Sequence, residues 1–227
     1  MIPLPDSIAS GTGSVASENV SWNHTIGNLG KTGLIVISWL GAETGGEQNP
    51  EEINQVTFNG VVCEIVREAN RNETGAGMAI LRGANIPPAG TYVVNLNFQD
   101  SPKQAERKRG VSAAFKYIKD QYPEAVNSGT FSGSPSSQGA PIPITPLTNN
   151  ALVVGTFGQR TGLSFSWSGL TELVTNRADN GGGVSIAYLV VPTPATQNVN
   201  VFATNPEDCG LVLASFPFQR VSGGQIL

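Results

Sequence analysis

The chain has 227 residues, of which only 13% are charged, and its formal net charge is −4. Typical soluble domains have about 25% charged residues, and mostly helical proteins carry many of them on their solvent faces, so a mostly helical fold is disfavoured. The negative net charge gives no overall attraction to nucleic acid or to an anionic membrane surface, and no stretch approaches the roughly 18 apolar residues of a membrane-spanning helix.

Residues 1–18 are small and polar, with prolines near the beginning. This composition predicts a flexible N-terminal arm that a partner could order. Residues 1–6 (MIPLPD) lack a basic region followed by an apolar core, so we expect no signal peptide and synthesis in a cytoplasm. The alternation that follows, from Val20 to Ile26, predicts a first strand with Trp22 and Ile26 facing inward and Asn23 and Thr25 facing outward.

Six blocks of the first half recur in the same order in the second half. One of them contains Asn59-Gly60, a dipeptide typical of a type I′ hairpin turn because both residues accept a positive φ. A period of about 100 residues suits a β-sandwich. The matched blocks are residues 34–39 with 152–157, 58–60 with 167–169, 64–66 with 172–174, 75–81 with 181–191, 93–98 with 199–202, and 110–115 with 210–216.

The repeat, the 27 glycines and the 15 prolines predict an all-β fold. We expect one large two-sheet β-sandwich, of jelly-roll or concanavalin-like type, spanning residues 19–218. Its half-repeats would be residues 19–127 and 141–218, joined by the Ser-, Gly- and Pro-rich residues 128–140 and followed by a tail at 219–227. Two tandem immunoglobulin-like sandwiches are the alternative, although the Cys-Trp-Cys spacing of true immunoglobulin domains is missing.

The most basic stretch of the sequence is residues 101–110, SPKQAERKRG. It contains Lys103, Arg107, Lys108 and Arg109, which are the candidate contacts to an acidic partner surface. A solvated hairpin tip is the alternative. No aromatic residues are interleaved with the charges, as they would be in a surface that stacks nucleic-acid bases.

The residues that usually carry chemistry are sparse. His24 is the only histidine, and with just two cysteines, Cys63 and Cys209, the chain cannot assemble a structural zinc site. We interpret both cysteines as free buried thiols, with a disulfide as the alternative. Glu64 and Glu68 have the spacing of a glycosidase pair on one strand face, but no aromatic-rich cleft accompanies them. We therefore predict no catalytic, metal or cofactor site and a protein that is not an enzyme.

Four motifs occur in the order SWNHTIG (residues 21–27), VTFNG (56–60), PPAGTYVVNLNF (87–98) and GVSAAF (110–115). Together they resemble a family of bacteriophage virion proteins with a β-sandwich fold. The resemblance implies a structural protein of the virion, made in the host cytoplasm, that assembles as a dimer or trimer. Its motifs are structural, so no functional residue is carried over.

Within that setting, a capsid decoration (cement) protein would bind the major capsid protein or other virion proteins and stabilise the capsid lattice. The alternative is a tail or fibre component, or a lectin-like module, that binds host-surface carbohydrate.

Overall fold

A computed structural model of the chain describes residues 3–12, 19–42, 52–72, 74–98, 107–119, 122–131, 141–161, 164–177, 182–203 and 208–219. These residues contain two short 3-10 helices, Gly30–Thr32 and Gly83–Asn85, and otherwise only strands and connections, so the all-β prediction is confirmed. The strands are β1 Leu4–Thr12, β2 Asn19–Ile26, β3 Leu34–Ala42, β4 Ile53–Phe58, β5 Val61–Val62, β6 Glu64–Glu68, β7 Thr74–Arg82, β8 Gly90–Phe98, β9 Arg107–Lys116, β10 Ala125–Phe131, β11 Ile142–Ile144, β12 Ala151–Gln159, β13 Phe165–Ser168, β14 Thr171–Arg177, β15 Gly183–Val191, β16 Gln197–Ala203 and β17 Cys209–Phe216.

The strands form four antiparallel sheets, two in each half of the chain. The first half has a five-stranded sheet of order β1-β9-β3-β7-β6 and a second sheet of order β2-β8-β4-β5. The second half repeats this plan as β10-β17-β12-β15-β14 and β11-β16-β13. In both halves the chain alternates between two sheets in the interleaved order of a jelly roll. The structure is therefore a sandwich of two repeated halves, as predicted, but with four sheets instead of two.

The two five-stranded sheets pack against each other in the middle of the molecule, and their inner strands are buried on both faces. Along β3, Leu34, Val36 and Leu40 point into a central core shared with β12, β15 and β17 of the other half. The alternate residues Ile37 and Trp39 point into the core between β3 and the outer sheet of the first half. A third core fills the second half in the same way. Burial on both faces explains why these strands are continuous apolar runs in the sequence.

The halves pack with an approximate two-fold relation. β1 lies next to β14, and its counterpart β10 lies next to β6. In the same way, β7 lies next to β12, and its counterpart β15 lies next to β3. Register defines the equivalent residues: Leu34 is opposite Phe115 in the first half, and Leu152 is opposite Phe216 in the second. Phe115 and Phe216 are therefore equivalent. The glycines that begin the last matched block, Gly110 and Gly210, are then one position out of register with each other. Gly110 corresponds to Leu211, not to Gly210.

Several local predictions are confirmed. In β2, Val20, Trp22, His24 and Ile26 are buried while Ser21, Asn23 and Thr25 are exposed. Asn59 and Gly60 join β4 to β5 with φ values of 53° and 74°, which are the left-handed conformations that a type I′ turn requires.

The predicted N-terminal arm is wrong for Leu4–Thr12, which forms β1 and pairs with β9 over its whole length. β1 is an edge strand with no fully buried side chain, so its sequence lacks the apolar alternation that marks β2. Residues 1–2 and 13–18 of the predicted arm lie outside the described residues. Pro3 is described and precedes β1.

The predicted boundary between the halves is also wrong. Ala125–Phe131 forms β10, which pairs with β17 and is the counterpart of β1. The second half therefore begins before the predicted linker, and residues 128–131 belong to a strand. Residues 132–140 of the linker and 220–227 of the tail lie outside the described residues.

Candidate interaction surfaces

The structure places three of the four predicted partner contacts in a strand instead of a hairpin tip. Arg107, Lys108 and Arg109 are the first residues of β9, while Lys103 lies outside the described residues. Lys108 is only 5% exposed, and its ammonium group lies 5.3 Å from the centre of the Phe98 ring. This position encloses Lys108 within the first half.

The two arginines contact the other half of the same chain. Nη1 of Arg107 donates a hydrogen bond of 2.7 Å to the carbonyl oxygen of Arg160, and Nη1 of Arg109 lies 3.4 Å from Oδ1 of Asn176. Burial, together with the neighbouring charge of Arg107, lowers the pKa of Arg109. The basic stretch thus joins the two halves, whereas its contact with a separate protein stays a prediction.

The start of β17 makes the reciprocal contact toward the first half. The carboxylate of Asp208 pairs with Nε of Arg71 at 3.3 Å and accepts a hydrogen bond of 3.0 Å from Nδ2 of Asn72. Its side chain is 10% exposed. Sequence reasoning did not find this contact, because nothing in the local pattern around Asp208 indicates a partner more than a hundred residues away.

His24 lies at the centre of a buried hydrogen-bonded cluster. Its Nε2 is 2.9 Å from Oγ of Ser7 and its Nδ1 is 2.8 Å from Oγ of Ser112, which also accepts a hydrogen bond of 3.0 Å from Nε1 of Trp22. Burial lowers the pKa of His24 to about 4, so the ring is neutral at physiological pH. The cluster ties β1 and β9 to β2, which gives His24 a structural role.

Asp6 makes a second polar contact that holds β1 in place. Oδ2 of Asp6 accepts a hydrogen bond of 2.7 Å from the backbone N–H of Gly27, and the carboxylate also pairs with Lys116. Burial alone would raise the pKa of Asp6, but the hydrogen bonds from Lys116 and Gly27 outweigh it and lower the pKa. These polar side-chain contacts thus add to the backbone pairing that attaches the peripheral strand β1 to β9.

The carboxylates considered as a glycosidase pair do not face each other. β6 has an irregularity between Ile65 and Arg67, so that Glu64 is opposite Ile80 and Glu68 is opposite Gly77. Positions separated by three residues on β7 lie on opposite faces of the sheet. Oε2 of Glu64 pairs with Nη2 of Arg82 at 3.3 Å. Oε1 of Glu68 accepts a hydrogen bond of 3.2 Å from the Ile53 N–H, while burial raises the pKa of Glu68.

Both cysteines are free and buried, as predicted, and lie in different cores. Burial raises the pKa of Cys63 to about 12 and raises that of Cys209 further above its usual value. The described part of the chain brings together no group of three His, Cys, Asp or Glu side chains that could hold a metal ion. Among the same residues, no helix has the length and apolar character needed to cross a membrane.

Three large apolar side chains of the described residues are more than half exposed, and one of them, Tyr122, lies in the connection between the halves. Leu147 is 67% exposed, Tyr122 is 66% exposed and Val62 is 58% exposed. The Tyr122 ring lies over the guanidinium group of Arg82 at 4.4 Å, and Arg82 and Val62 line one groove. The backbone N–H of Leu147 donates to Oε1 of Glu124 at 3.0 Å, two residues from Tyr122. No sequence pattern distinguished this exposed tyrosine from a core aromatic.

Comparison with known proteins adds little to this geometry. No family model matches the chain, and no curated protein matches it. Among solved structures, the chain is similar to the crystal structure of the major capsid protein P2 from bacteriophage PM2. The TM-score is 0.27 and the sequence identity is 10%, with 98% of this chain and 100% of that chain covered. A TM-score of this size carries no argument about the function of the chain.

Proposed function

We propose that the chain is a non-enzymatic structural protein of a virion, and more specifically a capsid decoration (cement) protein that binds and stabilises the capsid lattice. In this proposal it is made in the host cytoplasm, assembles as a dimer or trimer, and binds the major capsid protein or other virion proteins. The resemblance of its sequence motifs to phage virion proteins gives the setting.

The observation that carries the proposal is the way the two jelly rolls are joined. A central core, built from both inner sheets, packs the halves against each other. Polar contacts from Arg107 and Asp208 add to it at the starts of β9 and β17. A protein that braces a lattice against internal pressure needs such a body, because force on one half passes to the other through buried contacts.

The side chains that could have supported catalysis have structural partners instead. His24 is enclosed between two serines, and Glu64 and Glu68 lie on opposite faces of the sheet. The exposed apolar side chains near the connection offer a surface for contact with other proteins, since tyrosine and arginine are enriched where interfaces gain most of their energy. Lys103 stays a candidate contact to an acidic partner.

The test uses the full chain and capsids that lack it. Mass photometry gives the oligomeric state, and sedimentation of capsids mixed with increasing amounts of the protein gives the occupancy. We expect a dimer or trimer that saturates the capsids and raises the temperature at which they release their genome. A monomer that does not sediment with capsids would contradict the proposal.

A matched pair of variants locates the contact on the surface. Leu147→Asp places a charge near the connection between the halves, whereas Val93→Asp places one at an exposed position of β8 in the outer sheet. We expect Leu147→Asp to reduce capsid occupancy more than Val93→Asp. Equal occupancy for the two variants would mean that the surface near the connection does not face the capsid.

A further inference from the structure

A groove of about 230 Å³ opens at the edge of the first half, between β6, the end of β7 and the 3-10 helix Gly83–Asn85. The side chains of Val62 and Ala84 supply its apolar lining, and Glu64, Arg82 and Asn85 supply its polar groups. Ile80 and Leu81 border the groove, with side chains that are buried in the cores. In a small-molecule site, polar groups placed in this way fix the orientation of the ligand.

The charges of the groove compensate each other. Oε2 of Glu64 and Nη2 of Arg82 are 3.3 Å apart, and these side chains are 36% and 21% exposed. A phosphate or a carboxylate would have to compete with Glu64 for Arg82, and a cation would have to compete with Arg82 for Glu64. The groove therefore favours an uncharged ligand that offers hydroxyl groups, which can donate to a carboxylate and accept from a guanidinium group at once.

Tyr122 does not line the groove itself, but it stacks on Arg82, which does, and so offers an exposed aromatic surface beside the groove. One face of its ring lies on the guanidinium group of Arg82 at 4.4 Å, and the side chain is nevertheless 66% exposed. The contact with Arg82 fixes the orientation of the ring before any ligand binds, which reduces the entropy lost on binding. A sugar ring has an apolar face of C–H groups that packs on such a surface, while its hydroxyl groups point sideways toward polar partners.

The size of the groove agrees with this chemistry. Its volume of about 230 Å³ lies below the roughly 300–1,000 Å³ of pockets that enclose drug-sized ligands. One sugar ring fits such a space, and a neighbouring unit of the same glycan can lie over Tyr122. The amide of Asn85, on the 3-10 helix, is exposed at the groove and can both donate to and accept from a hydroxyl group.

We propose that this groove binds a neutral glycan, with one sugar unit between Glu64, Arg82 and Asn85 and the next unit on the ring of Tyr122. This activity is separate from capsid binding, so a decoration protein with such a site would present a glycan-binding surface on the particle. The backbone of Leu147 is bound to Glu124, two residues from Tyr122 in the chain, and the two proposals therefore require separate measurements.

The test is binding of the full chain to an array of neutral and acidic glycans, followed by saturation-transfer NMR with the best neutral oligosaccharide. We expect binding to neutral glycans, weakened about tenfold or more by Tyr122→Ala. Leu147→Ala is the matched control, since Leu147 is equally exposed but has no aromatic ring to stack on Arg82 or on a sugar. It should leave glycan binding unchanged. Thermal unfolding of both variants should match that of the unmodified protein.

Three results would overturn the proposal. They are no binding to any glycan in either measurement, a preference for acidic glycans, and equal binding by the Tyr122→Ala and Leu147→Ala variants. A Tyr122→Ala variant that loses capsid binding, in a protein that binds no glycan, would show that the surface serves a protein partner. Glycan binding by a protein that ignores capsids would support the groove and contradict the decoration role.

Discussion

The starts of β9 and β17 occupy equivalent places in the two halves but carry different chemistry. Register aligns Arg107 with Asp208 and Arg109 with Gly210. Arg107 crosses to a backbone carbonyl of the second half, and Asp208 crosses to Arg71 and Asn72 of the first. The two halves therefore share the place of contact and not the residues that make it.

The same comparison extends to how closely the two halves approach. Arg109 lies over the second half with a long side chain that reaches Asn176. At the equivalent position, Gly210 has no side chain, and a Cβ atom built there would lie 2.1 Å from the carbonyl oxygen of Ala69 and 2.9 Å from Cβ of Ala76. One side of the two-fold relation is thus bridged by a polar side chain, and the other is closed by direct backbone packing.

The largest expected effect comes from filling that close approach. Gly210→Ala should lower the free energy of unfolding by about 3 kcal/mol or more, because a backbone oxygen has to move. Gly110→Ala is the matched variant, since its Cβ would meet the Trp22 side chain at 2.3 Å within the first half alone. Urea unfolding measures both.

The two glycine variants should also differ in their effect on the cooperativity of unfolding. Gly210→Ala acts between the halves, so we expect it to reduce the cooperativity of unfolding, whereas Gly110→Ala should leave a single transition. If Gly210→Ala proves less destabilising than Gly110→Ala, the close approach of the halves is not a major source of stability.

His24 is the only histidine of the chain and lies in β2 of the first half. The two halves should therefore differ in how acid affects their stability. The pKa of His24 is lowered from 6.5 to about 4, so between these pH values the unfolded chain binds more protons than the folded one. Stability should therefore fall as the pH drops from about 6.5 to 4, by roughly 2–3 kcal/mol, since each unit of pKa shift corresponds to about 1.4 kcal/mol.

His24→Gln is the control for this prediction, because it removes the titration and keeps a donor and an acceptor for Ser7 and Ser112. Urea unfolding of both proteins at pH 7 and at pH 4 gives the difference that belongs to His24. An equal loss of stability in the two proteins would assign the acid sensitivity to carboxylates such as Asp6, whose lowered pKa also makes stability fall in acid.

The smallest effects should come from the polar contacts between the halves. Asp208→Ala leaves Arg71 and the Asn72 amide without their shared acceptor. It should cost about 1.5–2 kcal/mol, near the lower end for hydrogen bonds to charged groups, because the Arg71 side chain is 38% exposed. Arg107→Ala should cost about 1 kcal/mol, because water can reach the half-buried carbonyl of Arg160 that it leaves behind. Chemical unfolding of the two single variants and the double variant tests both values. A larger loss from Arg107→Ala than from Asp208→Ala would contradict this ranking of the two contacts.

The sequence predicted the fold best where strands are buried on both faces. β3, β7, β12 and β15 are continuous apolar runs, and their recurrence in order indicated the duplicated halves. The edge strands β1 and β10 were missed, because backbone pairing holds them while their side chains stay partly exposed. A two-sheet sandwich was expected because the sequence shows which residues are apolar but not which of two cores each one enters.

The interaction surfaces were less accessible to sequence reasoning. The charges of residues 107–109 were visible, but their partners lie in the other half and are brought near only by the packing of the inner sheets. Tyr122 and Arg82 are forty residues apart in the sequence, and the groove between Glu64 and Asn85 depends on the place where β6 and β7 end. Such groups become recognisable only when the strand order is known.

The central core has a consequence for the origin of the molecule. An isolated half would present to water the face of β3 that carries Leu34, Val36 and Leu40, with matching residues on β7 and β9. A single jelly roll of this kind would need a second copy to cover that face, and a symmetric dimer is the simplest arrangement that does so. Fusion of two such copies in one polypeptide makes the association independent of concentration. It also frees each copy to mutate on its own, which is how one partner can carry arginine where the other carries aspartate.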